Sequence, residues 1–348
     1  MKIAVIGAGA IGGLAAGYLK HKGSDVFLVG RPDSVEAIGK KGLHISGTRG
    51  NLLIRIDIFP ELNKPVDLAI LAVKTQDIEK VALENRAHLR RAAILTTQNG
   101  IQADKILAKY VPKKNIISSI VMFGSTLVEP HKLVHNFEGK WILGCPFAQN
   151  GDLLKEIAAT LNNIFLTSIS DNIMGMKWLK LFLNANNCLP AIIGKSMQET
   201  FRDLELCKVS MRIWQEGLEV VNKAGIELIS LPDFPLENLM KLVNMPLEQS
   251  AKIFSGIMTN LSREALYGSI LQSIKRNRPS EIDYINGEFA ALARNNAAPA
   301  SLNERLVQLV HRVETTKKFF APDELLKNVR EFMPPGGESN GRNPISQA

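Results

Sequence analysis

Cysteine is scarce in this chain: three residues in 348, at positions 145, 188 and 207. None belongs to a Cys-x-x-Cys pair or a Cys/His cluster. No disulfide framework and no metal site is therefore expected, and buried thiols in a reducing compartment are. Long apolar runs are absent as well. No segment reaches the ~18–20 residues of a membrane span. The apolar start MKIAVIGAGAIGG is broken by glycines, unlike a signal peptide. A cytoplasmic protein is expected. Basic residues gather in HLRR (88–91), KYVPKKN (109–115) and KRNR (275–278), and the net charge is +8. These clusters lack the aromatic interleaving of a nucleic-acid module, so neither nucleic acid nor membrane is an expected partner. Positive potential suits an anionic cofactor or substrate instead.

What is present is ordinary globular composition, 45% hydrophobic and 22% charged, with length enough for two domains. Residues 2–7 (KIAVIG) read as a buried strand and 11–22 as a helix. Further strands are expected at 25–31, 66–74, 92–100 and 115–125, with a helix over 76–89. Residues 133–144 read as a β-hairpin or edge pair. This alternation implies an α/β domain, a doubly wound Rossmann-type parallel sheet, over residues 1–169. Beyond about residue 170 the amphipathic patterns at 203–225, 247–275, 280–296 and 302–318 predict an all-α domain to residue 322. A tail over 323–348 follows. Its PPGGESNGRNPISQA segment, from Pro334, has little to bury and is expected to be disordered. No internal repeat is visible.

Gly7-Ala8-Gly9-Ala10-Ile11-Gly12 is a G-x-G-x-x-G placed between the first strand and the first helix, the context that makes it a dinucleotide-binding signature. Gly7 allows the tight turn, Gly9 the approach of a pyrophosphate, and Gly12 close helix–strand packing. The second strand ends in Val29-Gly30-Arg31, with no carboxylate before Asp33. A fixed cation there favours a 2′-phosphate, hence NADPH/NADP+ over NAD. Lys74 closes the third strand and Asn99 the fourth. Both stand at carboxyl ends of strands, where open α/β sheets bind ligands.

In KWLKLFLNANN (177–187), Lys180, Asn184 and Asn187 fall at i, i+4 and i+7, one stripe of an otherwise apolar helix. An ammonium on a buried stripe is costly unless it is paired or faces a ligand cleft. A lysine lining a cleft between domains could protonate a carbonyl oxygen as hydride arrives, with the amides holding the substrate's oxygens. In a second segment, 268–287, Glu281 opens the acidic entry EIDYING to a helix, and Ser269 lies twelve residues earlier.

Together, GAGAIG, VKTQD with QNG, WLKLFLNANNCLPAIIG and SILQSIKRNRPSEIDYING resemble the ketopantoate reductase (2-dehydropantoate 2-reductase) family, over residues 1 to about 315. The resemblance implies NADPH-dependent reduction of 2-dehydropantoate to (R)-pantoate, a step of pantothenate and coenzyme A synthesis, with Lys180 as general acid. It implies that Asn99 and Asn184 lie near nicotinamide and substrate, and that Ser269 holds the substrate carboxylate. Glu281 would contact the substrate hydroxyl or the cofactor ribose. Gly7 to Gly12, Arg31, Lys74 and Ser125 would form the cofactor site. Departures stand out. The second asparagine of many relatives, eight residues after the lysine, is Cys188 here, and Asn187 is taken in its place. Phe137 and Glu138 replace a glycine-rich stretch, and Ser125 a small alanine. These changes leave open another 2-oxo acid or an imine as substrate. A non-enzymatic NADP-binding sensor is the rival from another class. The apolar helices after residue 200 could serve a homodimer.

Overall fold

The computed structural model describes residues 1–147, 151–262 and 264–334. The chain forms two compact units, Met1–Lys177 and a second from Trp178 onward. The strands are β1 (Lys2–Ile6), β2 (Asp25–Val29), β3 (Leu43–Gly47), β4 (Leu52–Ile54), β5 (Ile58–Phe59) and β6 (Leu68–Leu71). They continue with β7 (Ala93–Thr96), β8 (Ile116–Val121), β9 (Gly124–Glu129), β10 (Lys132–Phe137), β11 (Trp141–Gly144) and β12 (Thr167–Ile169).

In the first unit an eight-stranded sheet runs β12-β11-β8-β7-β6-β1-β2-β5. It is parallel except where β11 meets β8. Its central strands are continuous apolar runs because helices cover both faces. Ile3, Val5, Leu28, Ile70 and Leu95 join one core with the Ala10–His21 helix. Ala4, Ile6, Phe27, Leu71 and Ile94 join another with the Ile78–Glu84 and Gln102–Leu107 helices. A four-stranded sheet, β4-β3-β10-β9, packs on the outer side of the Ala10–His21 helix. Gly13 and Gly17 permit that approach: a Cβ at either would meet Leu133 or Ile45 at 2.8 or 2.5 Å.

The hairpin expected at 133–144 does not form. β10 pairs with β9 and β3 in the small sheet, whereas β11 pairs with β8 and β12 in the large one. The burial of the two runs explains the split. Lys132–Phe137 alternates, as a strand with one wet face does, while Trp141–Gly144 is buried throughout.

The second unit is helical. Its main helices are Leu204–Lys223, Leu236–Asn244, Leu247–Thr259, Ser269–Lys275, Asn286–Asn295 and Ser301–Thr316. The pattern read over 247–275 is thus two helices, and that over 280–296 begins with a 3-10 turn at Ile282–Tyr284. The segment read as tail from 323 starts inside a helix, Pro322–Val329, that buries Leu325 and Val329. The tail from residue 335 lies outside the described residues. Among the described residues no helix is long and apolar enough to cross a membrane.

Candidate active site

The glycine loop has the geometry its spacing implies. Gly7 sits at φ +113°, where a Cβ would lie 2.7 Å from the Ala72 carbonyl, and its N–H donates to the Val29 carbonyl at 2.8 Å. A Cβ at Gly12 would overlap the Gly7 carbonyl oxygen, so helix and turn touch. Gly9 is different: a Cβ there would meet nothing within 4 Å. Gly9 is also the N-cap of the Ala10–His21 helix. No side chain caps that end, and no acidic residue stands in its first turn. Free amide donors at a helix start, beside open space, fit an anionic pyrophosphate.

Arg31, Lys74 and Asn99 follow β2, β6 and β7, at the carboxyl end of the sheet. The loops after β6 and β7 are bolted together. Thr75 Oγ1 donates to the Asn99 carbonyl at 3.5 Å. Gln98 Nε2 donates to the carbonyls of Leu71 and Val73 at 2.7 and 2.8 Å. Thr75 and Gln98 belong to the VKTQD and QNG segments, but nothing in their spacing assigns them this bracing role; their polarity in apolar surroundings is the signal. Ser125 lies in β9 of the small sheet, on the face toward the glycine-loop helix, and its buried Oγ finds no hydrogen-bond partner. The neighbouring Phe137 ring occupies the space a Cβ at Gly124 would need. Glu138 forms a bidentate pair with Arg49, Nε to Oε1 at 2.6 Å and Nη2 to Oε2 at 2.7 Å. Phe137 and Glu138 thus have local structural partners, whereas the Ser125 hydroxyl has none.

The helix Ile173–Ala185 carries Lys180 and Asn184. Leu179, Leu181, Phe182 and Ala185 are buried, whereas Lys180, Asn184 and Asn187 keep partial exposure, together with Leu183. Lys180 and Asn184 thus lie on the wetter side of a buried helix, but the helix ends at Ala185, so Asn187 stands in the turn before the Cys188–Ile193 helix and not on the stripe the spacing predicts. One turn earlier, Lys177 is buried, and its Nζ lies 3.0 Å from Asp104 Oδ2 and 2.8 Å from Ser118 Oγ. Ser118 and Thr96 hydroxyls complete the shell by donating to Asp104. Sequence reading missed this pair, although a second lysine on an apolar helix asks for a partner.

Cys188 is fully buried, and burial pushes its thiol far above the ordinary range. Asn187 lies against residue 268: a Cβ on Gly268 would stand 3.2 Å from Asn187 Cγ. That places it beside exposed Ser269, the first residue of the Ser269–Lys275 helix. Glu281 is half-buried and precedes the 3-10 turn Ile282–Tyr284. Its segment is clamped from behind, because Ser280 N–H donates to Glu314 at 2.7 Å and His311 bridges Glu314 and Asp283 at 2.9 Å each. Asn286, also in this segment, is buried and donates to Asn303, which donates in turn to Glu216.

Residues 3–146 match the family model for ketopantoate reductase PanE/ApbA, and residues 172–314 match its C-terminal part. The 2-dehydropantoate 2-reductase of Pyrococcus horikoshii is 31% identical over 90% of this chain and 98% of its own. That of Pyrococcus abyssi is 31% identical over 87% and 95%. Among solved structures, D-mandelate dehydrogenase with NADH and anilino(oxo)acetate superposes at a TM-score of 0.80. It is 25% identical, over 91% of this chain and 99% of its own. A ketopantoate reductase from Ralstonia eutropha JMP134 shares the fold at 0.77 with 24% identity, over 91% and 99%. With both halves matched and relatives aligned along nearly their whole length, the chain belongs to the ketopantoate reductase family of oxidoreductases.

Proposed function

We propose that this protein reduces 2-dehydropantoate to (R)-pantoate with NADPH as the preferred cofactor. The observation that carries the reading is that Lys180 and Asn184 keep solvent access on a helix that buries Leu179, Leu181, Phe182 and Ala185, with Asn187, also partly exposed, in the turn just beyond its end. The open glycine loop with its uncapped helix start supports the dinucleotide, and Arg31 at the end of β2 supports a 2′-phosphate. Once bound, the cofactor supplies the hydride that the ketone carbon takes up. The chain does the rest. Lys180 delivers a proton to the carbonyl oxygen as it gains charge, so the product is a 2-hydroxy acid. The amides of Asn184 and Asn187 and the Ser269 hydroxyl orient the oxygens of the acid. Asn99, Lys74 and Ser125 belong with the cofactor. Glu281, held by the braced Ser280–Ile282 segment, accepts from a substrate or ribose hydroxyl.

NADPH oxidation at 340 nm with 2-dehydropantoate tests this. Turnover should prefer NADPH over NADH and fall by ~10²-fold or more in Lys180→Ala. A wild type that binds NADPH but leaves 2-dehydropantoate untouched overturns the substrate assignment. The likeness to D-mandelate dehydrogenase favours one second reading, the same reduction on a different 2-oxo acid. A panel of 2-oxo acids in the same assay separates the two.

A further inference from the structure

The ribose end of the cofactor loop carries a carboxylate that chain order conceals. Arg31 stands where a dinucleotide fold reads the 2′ position. Asp33, two residues on, is turned to its own helix and accepts from Ser34 N–H at 2.8 Å. Asp77 belongs to the 3-10 turn Thr75–Asp77 after β6, far away in sequence. Its Oδ2 nevertheless lies 3.5 Å from Arg31 Nη2. In the sheet β1 lies between β2 and β6, so the pair spans the carboxyl end of β1, where the glycine loop sits. Asp77 stands where the 3-10 turn runs into the Ile78–Glu84 helix, with helical backbone angles, and its side chain makes no cap bond. Its carboxylate faces Arg31, and both side chains remain open to solvent, 62% and 37% exposed.

Two opposite charges at one ribose position act in opposite senses on the two cofactors. A 2′-phosphate gains from the guanidinium and is repelled by the carboxylate. A 2′-hydroxyl is a donor, and the carboxylate accepts from it. We propose that Asp77 is a cofactor-specificity residue: it tempers the preference that Arg31 confers, so that the chain takes NADH as well as NADPH. The inference rests on the reading of the glycine loop as a nicotinamide dinucleotide site.

Dissociation constants for NADPH and NADH, measured by calorimetry on wild type, Asp77→Asn and Arg31→Gln, test it. Wild type should bind both, NADPH more tightly. Asp77→Asn should tighten NADPH and weaken NADH, widening their ratio by about tenfold at low salt, and less at high salt. Arg31→Gln should narrow the ratio. Unchanged melting temperatures would show the variants folded. An Asp77→Asn ratio within about twofold of wild type, or a fall in NADPH affinity, overturns the proposal; a twofold ratio is under 0.5 kcal/mol. If neither dinucleotide binds wild type, the cofactor reading falls and the inference with it. If both bind but no 2-oxo acid is reduced, only the substrate reading falls.

Discussion

Asp104 and Lys177 are joined by an ion pair of 3.0 Å although both side chains are almost wholly buried. The pair survives burial because every strong group around it is satisfied: Thr96 and Ser118 hydroxyls donate to the carboxylate, and Lys177 also donates to Ser118. Within the first unit it ties Lys177 to the Gln102–Leu107 helix, which follows the Asn99 loop. Removing one partner strands a buried charge, at a cost of ~3–5 kcal/mol. Lys177→Met should therefore lower the urea midpoint sharply. The Asp104→Asn/Lys177→Met double variant should lose less than the two single variants summed. Additive losses would show that the pair is not coupled.

Glu138 offers a pH test of the first unit. Its hydrogen bonds from Arg49 hold the carboxyl below the usual carboxylate range, against an opposing effect of burial. A depressed folded pKa adds stability that is complete above the unfolded value, 4.5, and is lost as pH falls through the folded one. The melting-temperature advantage of wild type over Glu138→Gln should thus be largest near neutrality. It should shrink as pH drops below the ordinary carboxylate value. A difference that stays constant across that window would assign the effect to packing of Arg49 over Tyr18 and Phe165.

His311 reverses the sign. Burial pushes its pKa down, but the bonds to Asp283 and Glu314 outweigh that and hold it above the ordinary 6.5. Its contribution is therefore complete below that value and lost as pH rises through the folded pKa. Because Glu314 also holds the Ser280 amide, the segment bearing Glu281 should loosen on the alkaline side. Hydrogen exchange across residues 279–285 should quicken above pH ~6.5 in wild type, and be fast at every pH in His311→Ala. Equal protection of wild type at acid and alkaline pH would defeat this.

The sequence made the skeleton legible where periodicity is strong. The central parallel strands and the wetter side of the helix bearing Lys180 and Asn184 follow from runs and spacings that burial decides, and the glycine loop from positions, Gly7 and Gly12, that leave no room for a Cβ. What escaped depends on partners far apart in the chain. Nothing between residues 32 and 59 has a long apolar run, so the Pro32–Lys41 helix and the short β3, β4 and β5 gave no clear signal. The split of 133–144 between two sheets needed the pairing of β10 with β3, a contact 87 residues apart for Ser46 and Leu133. Lys177 and Asp104, 73 residues apart, were opaque for the same reason. So was Asp77, whose carboxylate reaches Arg31 across a strand.

Two glycines of the loop should separate folding from binding. A methyl at Gly12 would overlap the Gly7 carbonyl oxygen and approach Ala72 Cβ to 2.8 Å. Both neighbours belong to the packed sheet end, so neither can yield cheaply, and Gly12→Ala should cost ~1–3 kcal/mol of stability through overpacking. At Gly9 the same methyl meets no protein atom within 4 Å, and the backbone there is extended rather than left-handed. Gly9→Ala should therefore melt with wild type. Its methyl would instead occupy the space in which a pyrophosphate reaches the helix-start amides, and NADPH affinity should fall about tenfold or more, equivalent to ~1.4 kcal/mol. Thermal melts paired with NADPH titrations read both variants. An unchanged affinity in Gly9→Ala would mean that the open space beside the helix start is not where the phosphates lie.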